Sequence, residues 1–67
     1  MQTIGERIRL VRKTNALTQI QLSSILGVSR SYLTNIELNK KTPPTPLIKL
    51  FCYEFNVTEK WLHTGGD

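Results

Sequence analysis

The sequence offers almost none of the covalent or metal chemistry that often stabilises small domains. Its 67 residues include one cysteine, Cys52, and one histidine, His63. A lone cysteine forms no internal disulfide, and with a single histidine it cannot complete a structural zinc site. No apolar run approaches the roughly 20 residues that span a bilayer, and the N-terminus lacks the basic-then-apolar pattern of a secretory signal. Internal repeats, low-complexity tracts and linkers are missing as well. The expectation is a soluble, cytoplasmic, single-domain protein covering 1–67, with no metal, no cofactor and no membrane association. A chain this short buries only about 60% of its unfolded surface, so packing, aided by any dimerisation, has to be efficient.

Charge is present but uneven. Residues 1–50 carry Arg7, Arg9, Arg12, Lys13, Arg30, Lys40, Lys41 and Lys49 against Glu6 and Glu37, a balance of +6. The remainder holds Lys60 against Glu54, Glu59 and Asp67, a balance of −2 within an overall +4. A basic half of this kind is compatible with a polyanionic partner and equally with an ordinary solvated surface.

Helix signals recur along the chain and strand signals do not. Thr3 with Glu6 forms a capping-box pair that opens a first helix, about 4–14, with Ile4, Ile8 and Val11 on one stripe. Thr18 with Gln21 repeats the box before Leu22, Ile25 and Leu26, and Gly27 can take the left-handed conformation that ends this helix, about 19–26. Ser29 can cap a third helix, about 30–37, with Val28 anchoring the turn and Asn39 as a left-handed stop. The stretch KTPPTP, 41–46, reads as an extended loop. Thr45 is expected to cap a fourth helix, about 46–55, with Pro46 in its first position and Ile48, Phe51, Cys52 and Phe55 on its stripe. A last helix, about 59–64, starts after Thr58 and stops at Gly65. The predicted architecture is all-α: a compact bundle of five short helices, with the second and third joined by a tight turn.

The pattern Gln19, Leu22, Gly27, Val28, Ser29, Leu33, Ile36, Glu37, followed by a proline a few residues on, resembles the lambda-repressor-like family of phage repressors, Cro proteins and Xre-type regulators. The stretch FNVTEKWLHTG, 55–65, is similar to the last helix of phage-repressor DNA-binding domains, so the resemblance covers nearly the whole chain. Ser23, Leu33 and Asn39 depart from the family's usual Ala, Ile and Gly. Ser23 is small enough for close helix approach and Asn tolerates positive φ, so the expected helix-turn-helix is unaffected.

An α-helix fits the B-DNA major groove, about 12 Å wide. With Leu33 and Ile36 facing a core, Arg30, Ser31, Thr34 and Asn35 point outward. Arg can bind guanine O6 and N7, and Asn can bind adenine N6 and N7. The resemblance places Arg30, Ser31, Tyr32 and Asn35 at the family's base-contacting positions, although Tyr32 could instead pack beside Val28 or reach a phosphate. It places Thr18 and Gln19 against the DNA backbone at a helix N-terminus, where amides and dipole favour an anion. Thr34, Lys40, Lys41 and Thr42 complete the expected phosphate contacts.

The resemblance also pairs Arg12 with Glu37 in a salt bridge tying the first and third helices. Cys52 reads as a buried core thiol, His63 as a cation near a helix C-terminus, and Lys49 and Lys60 as solvated. No nucleophile with its base, paired carboxylates or metal cluster can be assembled, so no catalytic residue is assigned. The implied function is sequence-specific binding of double-stranded DNA by a bacterial or phage regulator, most simply a dimeric repressor on an inverted repeat. Leu50 and Tyr53, with the Phe55, Asn56 and Val57 turn, are the expected self-contact. Alternatives are an antitoxin or controller that also holds a protein partner, and a protein-interaction module on the same fold.

Overall fold

Each helix begins where the sequence supplies a hydroxyl, with one exception. In the computed structural model, which describes residues 2–66, α1 spans Ile4–Thr14, α2 Gln19–Leu26, α3 Arg30–Glu37, α4 Thr45–Phe55 and α5 Glu59–Thr64. No strand occurs among the described residues. Thr3 caps α1 by accepting from the Glu6 amide at 3.2 Å, and Glu6 Oε1 accepts from the Thr3 amide at 3.0 Å. The Thr3 amide and hydroxyl, both donating to Glu6 Oε1, hold the Glu6 carboxyl below its ordinary pKa. Thr18 and Gln21 repeat the box at 3.1 and 2.8 Å. Ser29 and Thr58 cap α3 and α5 from their hydroxyls.

The exception is α4. Thr45 is its first helical residue rather than its cap, Pro46 is second, and the cap position is Pro44, which offers no side-chain hydrogen bond. The Pro44 carbonyl already accepts from the Leu47 and Ile48 amides at 3.0 and 3.1 Å, so the donors that a Thr45 hydroxyl would need are committed one residue earlier.

The core is drawn from every helix. Ile8 and Val11 of α1 meet Leu22 and Leu26, Leu33 and Ile36, Ile48 and Phe51, and Leu62 of α5. Ile25, expected on the core stripe of α2, is instead 41% exposed. The buried face of α2 is Leu22, Ser23 and Leu26; at roughly 100° per residue its centre lies about 100° from Ile25. Small Ser23, turned inward, has moved the stripe. Gly27 then reverses the chain with φ 71°, and the Val28 amide donates to the Ser23 carbonyl at 3.0 Å.

Two contacts absent from the helix pattern lock α1 in place. At Gly5 the helix runs against the end of α3: an added Cβ would overlap the Ile36 carbonyl oxygen and stand 2.9 Å from that of Glu37. Asn39, with φ 63°, accepts from the Gly5 amide at 3.3 Å. Arg7, counted above with the basic surface, is only 4% exposed. Its Nη1 donates to the carbonyls of Leu62 at 2.9 Å and His63 at 3.3 Å, and its Nη2 to that of Gln2 at 2.8 Å. A cation at the carbonyl end of α5 opposes the helix dipole, and it fastens a six-residue helix too short to persist alone.

Alanine normally exceeds glycine in a helix interior by up to about 1 kcal/mol. Gly5→Ala should reverse that sign and lose about 1–3 kcal/mol through overpacking against backbone. Urea unfolding checks it; an unchanged or raised midpoint would contradict the close approach.

Candidate nucleic-acid interface

A buried carboxylate organises the site. Glu37, at the end of α3, is 4% exposed and is gripped by Arg12 of α1, with Nε to Oε2 at 2.8 Å and Nη2 to Oε1 at 3.1 Å. Arg12 Nη1 donates to the Leu17 carbonyl at 3.0 Å, so one guanidinium fixes both α3 and the loop leading into α2. The same Glu37 Oε1 accepts from Gln19 Nε2 at 3.2 Å, and Gln19 Oε1 accepts from the Thr34 hydroxyl at 3.1 Å. The first residue of α2 is thereby bolted to the middle and the end of α3.

Outside this bolt lies a polar surface. Gln19, Arg30, Ser31, Thr34 and Asn35 line one shallow concavity. Arg30 and Ser31 are exposed in the first turn of α3, whereas Thr34 and Asn35 are half-buried. Tyr32 leans on the edge of the core, as does Val28, and Lys41 Nζ lies 5.9 Å from the centre of its ring. That contact covers part of one face of the Tyr32 ring. The Asn35 carbonyl accepts from the Lys40 and Lys41 amides at 2.8 and 3.3 Å, which holds the exposed Lys40, Lys41 and Thr42 against the end of α3.

Adjoining the concavity, and sharing Gln19 and Arg30 with it, is a depression bordered by Arg9, Lys13 and Thr18. The first amides of a helix have no carbonyl partner within it, so the start of α2 adds its own positive potential. Arg9 and Lys13 were not singled out in the sequence. Their four-residue spacing on α1, in the basic half of the chain, is the signal that could have found them. Arg7 and Arg12, by contrast, are spent inside the fold. Lys49, expected to be solvated, makes an exposed ion pair with Glu59 at 3.3 Å.

The residues expected to meet a second copy fall into two groups. Tyr53 is 84% and Leu50 36% exposed on α4. Phe55 and Val57 are partly buried against the core, and the Phe55 ring packs tilted against that of Phe51, with centroids 4.9 Å apart. Asn56 ends α4 with φ 55°. Cys52 is buried, and desolvation, with the nearby Glu59 charge, pushes its thiol pKa up, which suits an inert core residue. His63 lies in the last turn of α5. Among the described residues no group of three His, Cys, Asp or Glu could hold a metal ion, and no helix is long and apolar enough to cross a membrane.

A family model described as a helix-turn-helix domain matches residues 5–67. Antitoxin PezA of Streptococcus pneumoniae is 40% identical over 55 residues, which covers 82% of this chain and 35% of PezA. The immunity repressor of Bacillus phage phi105 is 46% identical over 41 residues, covering 61% of this chain and 28% of the repressor. The chain thus spans about a third of the length of these curated relatives. The P22 c2 repressor, solved in complex with a synthetic operator, superposes with a TM-score of 0.90 over 98% of this chain and 100% of that one, at 26% identity. The five-helix arrangement is therefore the lambda-repressor-like fold.

Removing one member of a buried ion pair strands the other and costs about 3–5 kcal/mol. Glu37→Ala should lose that much stability, because Arg12 loses its carboxylate partner and Gln19 Nε2 its acceptor. Replacing Arg12 and Glu37 together by Met should recover part of the loss. Guanidinium unfolding of the three proteins checks this; a midpoint unchanged in Glu37→Ala would rule out the buried bridge.

Proposed function

The chain belongs to the helix-turn-helix domain family, and from that premise we propose that it binds double-stranded DNA sequence-specifically as a transcription regulator, most simply a repressor acting in the cytoplasm. The observation that carries this reading is the polar concavity on α3, with Arg30 in its lining, Arg9 and Lys13 in the adjoining depression, and Lys40 and Lys41 held at the end of α3. Arg30, Ser31 and Asn35 are the base-reading residues, with Arg30 suited to guanine and Asn35 to adenine. Tyr32, drawn toward Lys41, contributes at the margin of that set. Thr18, Gln19, Lys40, Lys41 and Thr42 meet phosphates on either side of the groove and fix the register of α3. Arg9 and Lys13 extend the phosphate contacts along α1. No step of this function is catalytic.

One such domain makes few base contacts, so the functional unit is a two-fold dimer on an inverted repeat, with half-site centres about 34 Å apart. Leu50 and Tyr53 form its contact, bordered by the Phe55 to Val57 turn. A second reading, in which the same domain also serves an antitoxin with a protein partner, is favoured by the identity with PezA across 82% of the chain.

Selection from a random duplex pool at moderate salt should enrich an inverted repeat. Asn35→Ala should lose preference at one base pair per half-site, about 1–3 kcal/mol. Lys41→Ala should weaken all sequences alike and reduce the slope of log affinity against log salt by about 1. Weak, salt-steep binding with no enriched sequence would leave only a basic surface and refute specific recognition. Leu50→Glu should weaken self-association by about tenfold or more and operator binding with it; sedimentation of the unaltered protein as a monomer at high concentration would refute this dimer.

A further inference from the structure

We infer that Thr34 reads an exocyclic base amino group in the major groove, adenine N6 or cytosine N4, and not a phosphate. The inference rests on the proposed DNA binding and follows from the direction of the hydrogen bonds behind the recognition helix. Glu37, held by two guanidinium nitrogens, offers only lone pairs to its surroundings. Gln19 therefore turns its amide NH₂ toward Glu37 Oε1 at 3.2 Å. That choice leaves Gln19 Oε1 facing Thr34, and a carbonyl oxygen only accepts. The Thr34 hydroxyl has one proton, and at 3.1 Å it is donated to Gln19.

What Thr34 shows to the concavity is consequently a pair of lone pairs and no proton. Phosphate oxygens are acceptors too and gain nothing from such a group. In the major groove the acceptors guanine O6 and N7, adenine N7 and thymine O4 are likewise mismatched, which leaves the two exocyclic amines. Thr34 is half-buried among Gln19, Arg30, Ser31 and Asn35, inside the concavity those residues line. Ser31 differs, because its exposed hydroxyl is not committed in this way. The carboxylate of Glu37, two links away, is thus a positioning group that sets the polarity of a base contact it never makes.

The test compares operators selected from a random duplex pool by the unaltered protein, Thr34→Ser and Thr34→Val. The unaltered protein and Thr34→Ser should share one half-site base-pair preference that is lost when the adenine or cytosine amino group there is removed, with purine or pyrimidin-2-one in its place. Thr34→Val, isosteric but without the hydroxyl, should lose that preference by about two- to tenfold and keep those set by Arg30 and Asn35. Valine also releases Gln19, but that effect falls on all sequences alike, so the positional change is the readout. Two results would overturn the inference: a uniform loss of affinity with every positional preference intact, as for a phosphate contact, or a positional preference that Thr34→Val keeps and Thr34→Ser loses, as for a methyl contact. Failure of the unaltered protein to enrich any sequence would overturn the proposed DNA recognition itself, and is distinguishable because it precedes any change at Thr34.

Discussion

The Glu37 carboxylate is the point on which the arrangement of the first three helices depends. Bringing a charge into the interior of a small domain is expensive unless it is paired and its remaining lone pairs are met. Here Arg12 meets both oxygens and Gln19 meets one of them again. The three residues come from α1, from the first position of α2 and from the last position of α3, so satisfying one carboxylate fixes three helices relative to each other. A rotation of α3 about its axis would pull Glu37 away from Arg12 and Gln19 as well as Leu33 and Ile36 out of the core. The orientation of the recognition helix therefore rests on the ion pair and the apolar core together.

A second consequence is a division of labour among cations. Arg7 and Arg12 are consumed as fasteners, one at the carbonyl end of α5 and one at Glu37. Arg9, Lys13, Arg30, Lys40 and Lys41 remain exposed, on α1, at the start of α3 and in the loop that follows it. Arginine suits the first task because its planar fork serves several acceptors in fixed directions. The close passage at Gly5 and the Asn39 cap hold α1 near the end of α3, which keeps the exposed cations of α1 beside the start of α2. Stabilisation and recognition therefore use the same residue types at neighbouring positions, separated by burial.

Much of this was legible in the residues. The hydroxyl caps at Thr3, Thr18, Ser29 and Thr58, and the left-handed ends at Gly27 and Gly65, are local chemistry, so four helix starts followed from sequence alone. The α4 start was displaced because Pro44, with its own extended geometry, supplied the first carbonyl that Thr45 was expected to supplement. Ile25 was misplaced because a periodic count treats Leu22, Ile25 and Leu26 alike, whereas the inward turn of Ser23 depends on how closely α2 approaches its neighbours. Arg7 reads as surface charge in the sequence for a related reason: two of its three acceptors lie 55 and 56 residues away, and no local pattern announces them.

By itself the sequence determined which segments are helical, where the chain turns, and that α3 carries polar groups opposite its apolar face, because caps, glycine conformations and 3.6-residue spacing act within a few residues. The tertiary structure alone decided which cations are buried, which face of α2 is covered, and which way the hydrogen bonds run from Glu37 through Gln19 to Thr34. Those outcomes depend on groups far apart in the chain arriving within about 3 Å of each other, where a proton can be given in only one direction.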